Sequence, residues 1–171
     1  MALQLGKFGL VSPQDVDWDA TDGFMQSLSE KRVKWHVKHA HGMCGVGKIM
    51  QCYKQWLTLD CLYCGAVEDT KHLWLCPSEQ VTTLWTKHLN ALSQWCEEHH
   101  TAPSLTALLL NGLSSWCNGS NPASHPDIGS LRDFQTVLGW QLLFEGRPTM
   151  GWQSIQQRHY SSLSCWNTGK R

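Results

Sequence analysis

The chain has 171 residues, of which 42% are hydrophobic and 16% charged, so it has the size and composition of one folded domain rather than a disordered chain. Its 14 basic and 14 acidic side chains cancel, which argues against a binder that attracts nucleic acid through its overall charge. No apolar run approaches the roughly 20 residues of a membrane helix, and the N-terminus lacks the pattern of a signal peptide. We therefore expect an intracellular protein, nuclear or cytoplasmic, that is not secreted and does not contact a membrane.

The N-terminal half changes sharply in charge. Residues 1–22 are predicted to form a weakly structured acidic arm, because glycines, a proline and a run of aspartates interrupt any apolar period. Residues 23–57 form a basic helical segment, with one helix expected over 23–40 and a second short element over 47–57. Between residues 31 and 54 there are six basic side chains and no acidic one.

The C-terminal half is predicted to be a helical bundle over 78–163, followed by a tail at 164–171. Ser78 is a suitable N-cap for the first helix, and residues 118–129 have the composition of a loop. Apolar residues recur at helical spacing in four stretches, 78–98, 103–117, 130–144 and 149–163. No stretch alternates as a strand would, so the predicted fold class is all-α: a small helical domain with an embedded zinc knuckle.

The zinc knuckle is predicted at 58–77, where the spacing is C-x2-C-x7-H-x3-C. Structural zinc takes four Cys or His ligands in a tetrahedron, and the spacing offers Cys61, Cys64, His72 and Cys76. Asp69 or Thr70 can cap a short helix that carries His72, and Pro77 ends it. Zn²⁺ is therefore the expected cofactor, and four protein ligands leave no open position for a catalytic water.

The remaining cysteines follow no metal-binding spacing. They are odd in number, which favours a reducing compartment over a disulfide framework, and they are Cys44, Cys52, Cys96, Cys117 and Cys165. A second metal site built from Cys44, Cys52, His39 and His41 matches no usual pattern, so ordinary packing is expected there.

The knuckle segment CLYCGAVEDTKHLWLCP resembles the zinc-binding segment near the C-terminus of reverse transcriptases of non-LTR retroelements. Its flanks, KRVKWHVKHAHGMCGVGKIM and LGWQLLFEGRPTMGWQSIQQRHY, resemble retroelement open reading frames of algae and protists. The resemblance covers roughly residues 15–163 and is specific in the knuckle. It implies a role beside a polymerase, in which the chain grips template RNA or target DNA.

Catalysis is not expected from this chain. It contains no Asp-Asp pair, so the palm motif of a polymerase is missing, and the aspartates between 15 and 22 lie in the predicted arm rather than around a metal. The stretch from Gly42 to Ile49 nearly matches a phosphate-binding loop, but Ile49 stands where a hydroxyl must bind Mg²⁺. The chain is interpreted as the detached, non-enzymatic C-terminal part of such an element.

The basic segment is the predicted nucleic-acid surface, with RNA or single-stranded DNA as the expected partner. Clustered Lys and Arg attract phosphates, and aromatic side chains stack on bases. The residues expected to contribute are Lys31, Arg32, Lys34, Trp35, Lys38, Lys48, Lys54 and Lys71. Two alternatives stay open: a protein-interaction module in which the Trp-rich helices at 78–98 and 103–117 dock a partner or a second copy, and a decayed fragment without function.

Overall fold

The computed structural model describes residues 13–120 and 128–168, and over these residues the all-α prediction is confirmed. Most of the predicted acidic arm, part of the predicted loop (121–127) and the last three residues of the predicted tail lie outside the described residues. A 3-10 turn at Pro13–Asp15 precedes nine α-helices in the described part of the chain. They are α1 Trp18–Ser27, α2 Glu30–Ala40, α3 Gly47–Cys52, α4 His72–Leu75, α5 Glu79–Glu98, α6 Pro103–Cys117, α7 Gly129–Leu138, α8 Trp140–Phe144 and α9 Trp152–Thr168.

The bounds of the N-terminal helices differ from the predicted ones. Helix α1 begins earlier than expected, and α3 begins at Gly47 as predicted but ends at Cys52 rather than at residue 57. The prediction of weak structure up to residue 22 is wrong from Trp18 onward, where α1 begins. The Asp17 carboxylate stabilises this start as a cap, by accepting a 2.9 Å hydrogen bond from the Ala20 N–H. The single helix expected over 23–40 is instead two helices, since Ser29 takes an extended conformation with ψ of 152° and starts α2. The basic residues 31–38 therefore belong to a separate helix, α2.

The C-terminal helices agree with the sequence over 78–117 and differ in two places beyond it. The helix expected over 149–163 is α9, which begins at Trp152 and continues through Thr168, so the tail predicted at 164–171 is helical as far as residue 168. Helices α5 and α6 lie where predicted, and Ser78 caps α5 by accepting a hydrogen bond from the Val81 N–H. The helix expected over 130–144 is broken into α7 and α8 at Gly139, whose φ of 103° only glycine adopts without strain. None of the described helices is long and apolar enough to cross a membrane.

The chain divides into two compact units by its internal contacts. The first unit comprises residues up to Phe24, Thr101–Trp116 and the chain from Asn121 onward. The second comprises Met25–His100 with Cys117–Ser120 and contains all four predicted metal ligands and all eight residues of the predicted nucleic-acid surface.

A buried glutamine organises the first unit. Gln135 is fully buried, and its Oε1 accepts hydrogen bonds from the Thr149 N–H at 3.0 Å and the Trp152 Nε1–H at 3.2 Å. Its Nε2 donates to the Gly139 carbonyl at 3.2 Å. Thr149 in turn forms an isolated antiparallel bridge with Val16. Because every polar atom of this amide has a partner, its burial does not leave an unsatisfied group.

Helix α6 passes close to the Trp140 ring in the first unit. A Cβ added at Gly112 would lie 2.0 Å from a ring carbon of Trp140, well inside the distance at which carbon atoms repel. Both Gly112 and Trp140 are buried, so the ring has little freedom to move away. Gly112 is therefore required by packing.

We expect Gly112→Ala to destabilise the protein by about 1–3 kcal/mol, the usual cost of overfilling a packed core. Gly23→Ala is the matched control, because Gly23 lies inside α1 with nothing within 4 Å of an added Cβ, and alanine there should stabilise the helix by about 0.5–1 kcal/mol. Urea unfolding followed by far-UV circular dichroism measures both. Equal midpoints for the two variants would contradict this packing.

Candidate metal centre and basic helix

The four predicted ligands converge in the second unit. The side-chain atoms of Cys61, Cys64, His72 and Cys76 that can bind a metal all lie within 4.8 Å of one another. Cys61 Sγ and Cys76 Sγ are 3.8 Å apart, and Cys64 Sγ lies 3.2 Å from His72 Nε2. With metal–sulfur bonds of about 2.3 Å, the sulfurs of a tetrahedral site lie roughly 3.8 Å apart. The cluster is thus arranged to hold one metal ion.

A tight hairpin presents the first two ligands. Asp60 and Val67 form an isolated antiparallel bridge, and the Cys61 N–H donates to the Ala66 carbonyl at 2.7 Å. The Gly65 N–H then donates to the Cys61 carbonyl at 2.9 Å. Gly65 has a φ of 71°, a conformation that favours glycine. The turn therefore brings Cys61 and Cys64 to the same side of the hairpin.

The short helix α4 presents the other two ligands. Lys71 precedes α4 and makes no capping bond with its side chain. Of the two predicted capping residues, Asp69 and Thr70, it is Asp69 whose Oδ1 accepts the His72 N–H, at 2.8 Å. His72 begins α4, and Cys76 follows its last residue in an extended conformation with ψ of 123°. One helical turn separates the two residues, so both reach the cluster.

Ser78 connects Cys76 to helix α5. Its Oγ lies 3.4 Å from Cys76 Sγ and also accepts the Val81 N–H at 3.4 Å. Burial raises the pKa of Cys76, but hydrogen bonds from the Ser78 side chain and backbone and from Cys64 and Cys61 outweigh it and lower the pKa to about 7. A thiol that loses its proton readily is suited to metal ligation.

Helix α3 begins directly against the knuckle backbone. The Gly47 N–H donates to Glu68 Oε2 at 2.7 Å, and the Lys48 N–H donates to the Glu68 carbonyl at 2.9 Å. A Cβ at Gly47 would lie only 2.6 Å from the Leu59 carbonyl oxygen. Gly47, which in sequence suggested a phosphate-binding loop, thus has a packing role.

His39 links helix α2 to the knuckle. The Trp74 indole, on α4 between two of the ligands, donates from Nε1 to His39 Nε2 at 3.2 Å. His39 Nδ1 lies 3.4 Å from Cys44 Sγ, and Trp35 stacks on the His39 ring with centroids 5.1 Å apart and planes 5° apart. Because Nε2 accepts a hydrogen bond, the proton of the neutral ring is on Nδ1. The series from Trp35 to Trp74 ties one face of α2 to the metal cluster.

All eight residues predicted to bind nucleic acid are exposed, and four of them line one concavity. Lys31, Lys34, Trp35 and Lys38 line one concavity on α2 together with Glu30, which forms a 2.6 Å ion pair with Lys34. The other four do not line this concavity; they are Arg32 on α2, Lys48 on α3, Lys54 just after α3 and Lys71 just before α4.

Several residues that shape these sites were not selected from the sequence. His39 and Trp74 contact each other across 35 positions, and no local pattern indicates such a pair. Glu30 could have been found, because an acid four residues before a lysine on a helix commonly forms an ion pair. Cys44 pairs with His39 rather than with a metal. Within the described residues, no second group of three or more His, Cys, Asp or Glu side chains converges as the knuckle does.

Comparisons of the chain with protein-family models, with curated proteins and with solved structures gave no match. Its function is therefore inferred from its own residues.

We expect His39 to titrate below its ordinary pKa of 6.5, because burial penalises the charged ring and nearby His36 adds repulsion. The stability that this neutral ring contributes is present above pH 6.5 and is lost as the pH falls through the lower native pKa. NMR titration of the ring measures this pKa directly. Trp74→Phe removes the donor to Nε2 and should raise the pKa of His39; a wild-type value at or above 6.5 would contradict the geometry.

Proposed function

We propose that this chain is a non-catalytic module that binds zinc and uses its basic helix to bind nucleic acid, RNA or single-stranded DNA. The observation that carries the proposal is the contact series from the knuckle through Trp74 and His39 to Trp35 on α2. It attaches α2 through the buried His39 to the segment that carries the metal ligands, and so sets the orientation of the exposed lysines on the same helix. A metal ion bound there would act on nucleic-acid binding by holding this face in place.

Zinc is the metal that this ligand set favours. Three thiolates and one imidazole are soft or borderline ligands, which select Zn²⁺ over the hard cations Mg²⁺ and Ca²⁺. All four tetrahedral positions would be filled by protein, as in structural sites. Zinc binding to finger-sized units contributes roughly 10–16 kcal/mol of apparent free energy at neutral pH. That is enough to fold a segment such as 58–77, whose described side chains include few buried apolar ones.

Helix α2 has the charge and exposure that a phosphate backbone requires. Lys31, Lys34 and Lys38 are exposed on one face of the helix. Because the 14 basic and 14 acidic side chains of the whole chain cancel, the attraction for phosphate comes from this local cluster and not from the net charge. Such contacts release counterions from nucleic acid, so the affinity falls as salt rises. The likeness of the knuckle to the zinc segment of non-LTR reverse transcriptases supports the same role beside a polymerase.

A protein-interaction module is the second candidate, and one observation favours it. On α5, Leu84 and Trp95 keep 49% and 52% of their surface exposed, although the helical period of the sequence places them on an apolar face. Exposed apolar side chains on one helix are a common feature of protein-binding surfaces. Under this alternative the chain would bind zinc but no nucleic acid.

Charge reversal on α2 tests the proposed function. We expect Lys38→Glu to weaken binding of single-stranded RNA and to reduce the slope of log affinity against log salt by about one, since one phosphate contact is lost. The control is Lys87→Glu, which makes the same charge change at an exposed position on α5. Fluorescence anisotropy at two salt concentrations measures affinity, and mass spectrometry under native conditions verifies one zinc ion in each variant.

Equal losses in the two variants would show a response to net charge alone and contradict a site on α2. A zinc-loaded wild-type chain that binds neither RNA nor single-stranded DNA would overturn the proposed function in favour of the protein-interaction module.

A further inference from the structure

One face of helix α2 combines an aromatic ring with three lysines. Lys31, Lys34, Trp35 and Lys38 are spaced i, i+3, i+4 and i+7, which places them on one side of a helix. They line a single concavity of about 390 Å³, whose other lining residue is Glu30. A ring between ammonium groups matches the two chemical parts of a nucleotide, a flat base and an anionic phosphate.

We propose that Trp35 is a base-stacking platform for an unpaired nucleobase of a single-stranded nucleic acid, with Lys31, Lys34 and Lys38 contacting the adjacent phosphates. This inference rests on the proposed function and specifies its ligand. Bases inside a duplex already stack on one another and are not accessible to a ring on a protein surface, whereas unpaired bases are. The site therefore selects single strands.

Two histidine rings lie against Trp35, and about half of the residue stays exposed. One face of the indole stacks on the buried His39 ring, with planes 5° apart, and the His36 ring lies at a tilt with centroids 6.4 Å apart, while Trp35 keeps 52% of its surface exposed. His39 is itself held at both ring nitrogens, by Trp74 and by Cys44. A ring that is already ordered loses little conformational entropy when a ligand binds, and the exposed part of the indole lines the concavity, so a base that enters there can stack on it at low entropic cost.

Glu30 opposes phosphate binding at this face. Its carboxylate forms a 2.6 Å ion pair with the Lys34 ammonium, which a phosphate must displace, and it repels an approaching phosphate. Glu30→Gln keeps the size of the side chain and removes the charge. We therefore expect this variant to bind single-stranded RNA more tightly than the wild type, by about twofold to fivefold, since an exposed ion pair is worth little.

The test separates stacking from charge with two probes. One is a ten-nucleotide oligouridine and the other is an abasic oligomer with the same number of phosphates. We expect Trp35→Ala to weaken oligouridine binding on the order of tenfold, within the range measured for one base–aromatic stack, and to leave binding of the abasic oligomer unchanged. Trp35→Phe, which keeps a ring, should retain most of the oligouridine affinity.

The control variant is Trp95→Ala. Trp95 also keeps 52% of its surface exposed and stacks on a histidine, His99, with centroids 4.1 Å apart, but it lies on α5 and does not line the concavity. Its replacement should not change oligouridine binding. Zinc content and far-UV circular dichroism of each variant verify that the fold is retained.

Three results would overturn the inference. If Trp35→Ala and Trp35→Phe bind oligouridine as the wild type does while Lys38→Glu does not, the helix binds phosphate without stacking, and the proposed function stands alone. If a glutamate-rich peptide of equal charge binds as tightly as oligouridine, the face recognises charge only. If the wild type binds neither oligomer, the proposed function fails together with this inference.

Discussion

Three thiols and an imidazole meet within 4.8 Å of one another at the knuckle, and the second unit is built around this meeting. Thiolates at such distances repel one another, so a bound cation is what makes the arrangement favourable. Three further elements attach to the segment that it holds. Helix α3 contacts Glu68, α5 is capped by Ser78 beside Cys76, and α2 contacts Trp74 through His39. A metal ion bound at the knuckle would thus order most of the second unit, in which the long helix α5 has only one buried residue, Cys96.

This dependence gives the basic helix a defined surface. An isolated helix of 11 residues is marginal in water, so α2 takes its stability from packing rather than from helix propensity. The packing runs through three rings in two contacts, Trp74 with His39 and His39 with Trp35, and their planes determine which side of α2 faces away from the knuckle. The candidate metal site and the candidate ligand surface are therefore parts of one arrangement, in which a bound metal ion would order the helix and the lysines would supply charge.

The sequence predicted the features that depend on local spacing. The four ligands, the Asp69 cap, the Ser78 cap and the extent of α5 and α6 all follow from residues within one or two turns of one another, and the structure places them as expected. Features that depend on distant contacts were not predictable. The period of α5 did not reveal that Leu84 stays exposed. Ile49 already argued against a phosphate-binding loop at 42–49, but the sequence does not show that Gly47 lies against the Leu59 carbonyl.

The central claim is that a metal ion in the knuckle holds helix α2. Hydrogen–deuterium exchange of the intact chain, with zinc bound and after chelation, tests it most directly. We predict that the amides of α2 lose their protection together with those of 58–77, while α6, in the other compact unit, keeps its protection. Unchanged protection in α2 after complete zinc removal would show that the helix is ordered independently of the metal, and would contradict this account.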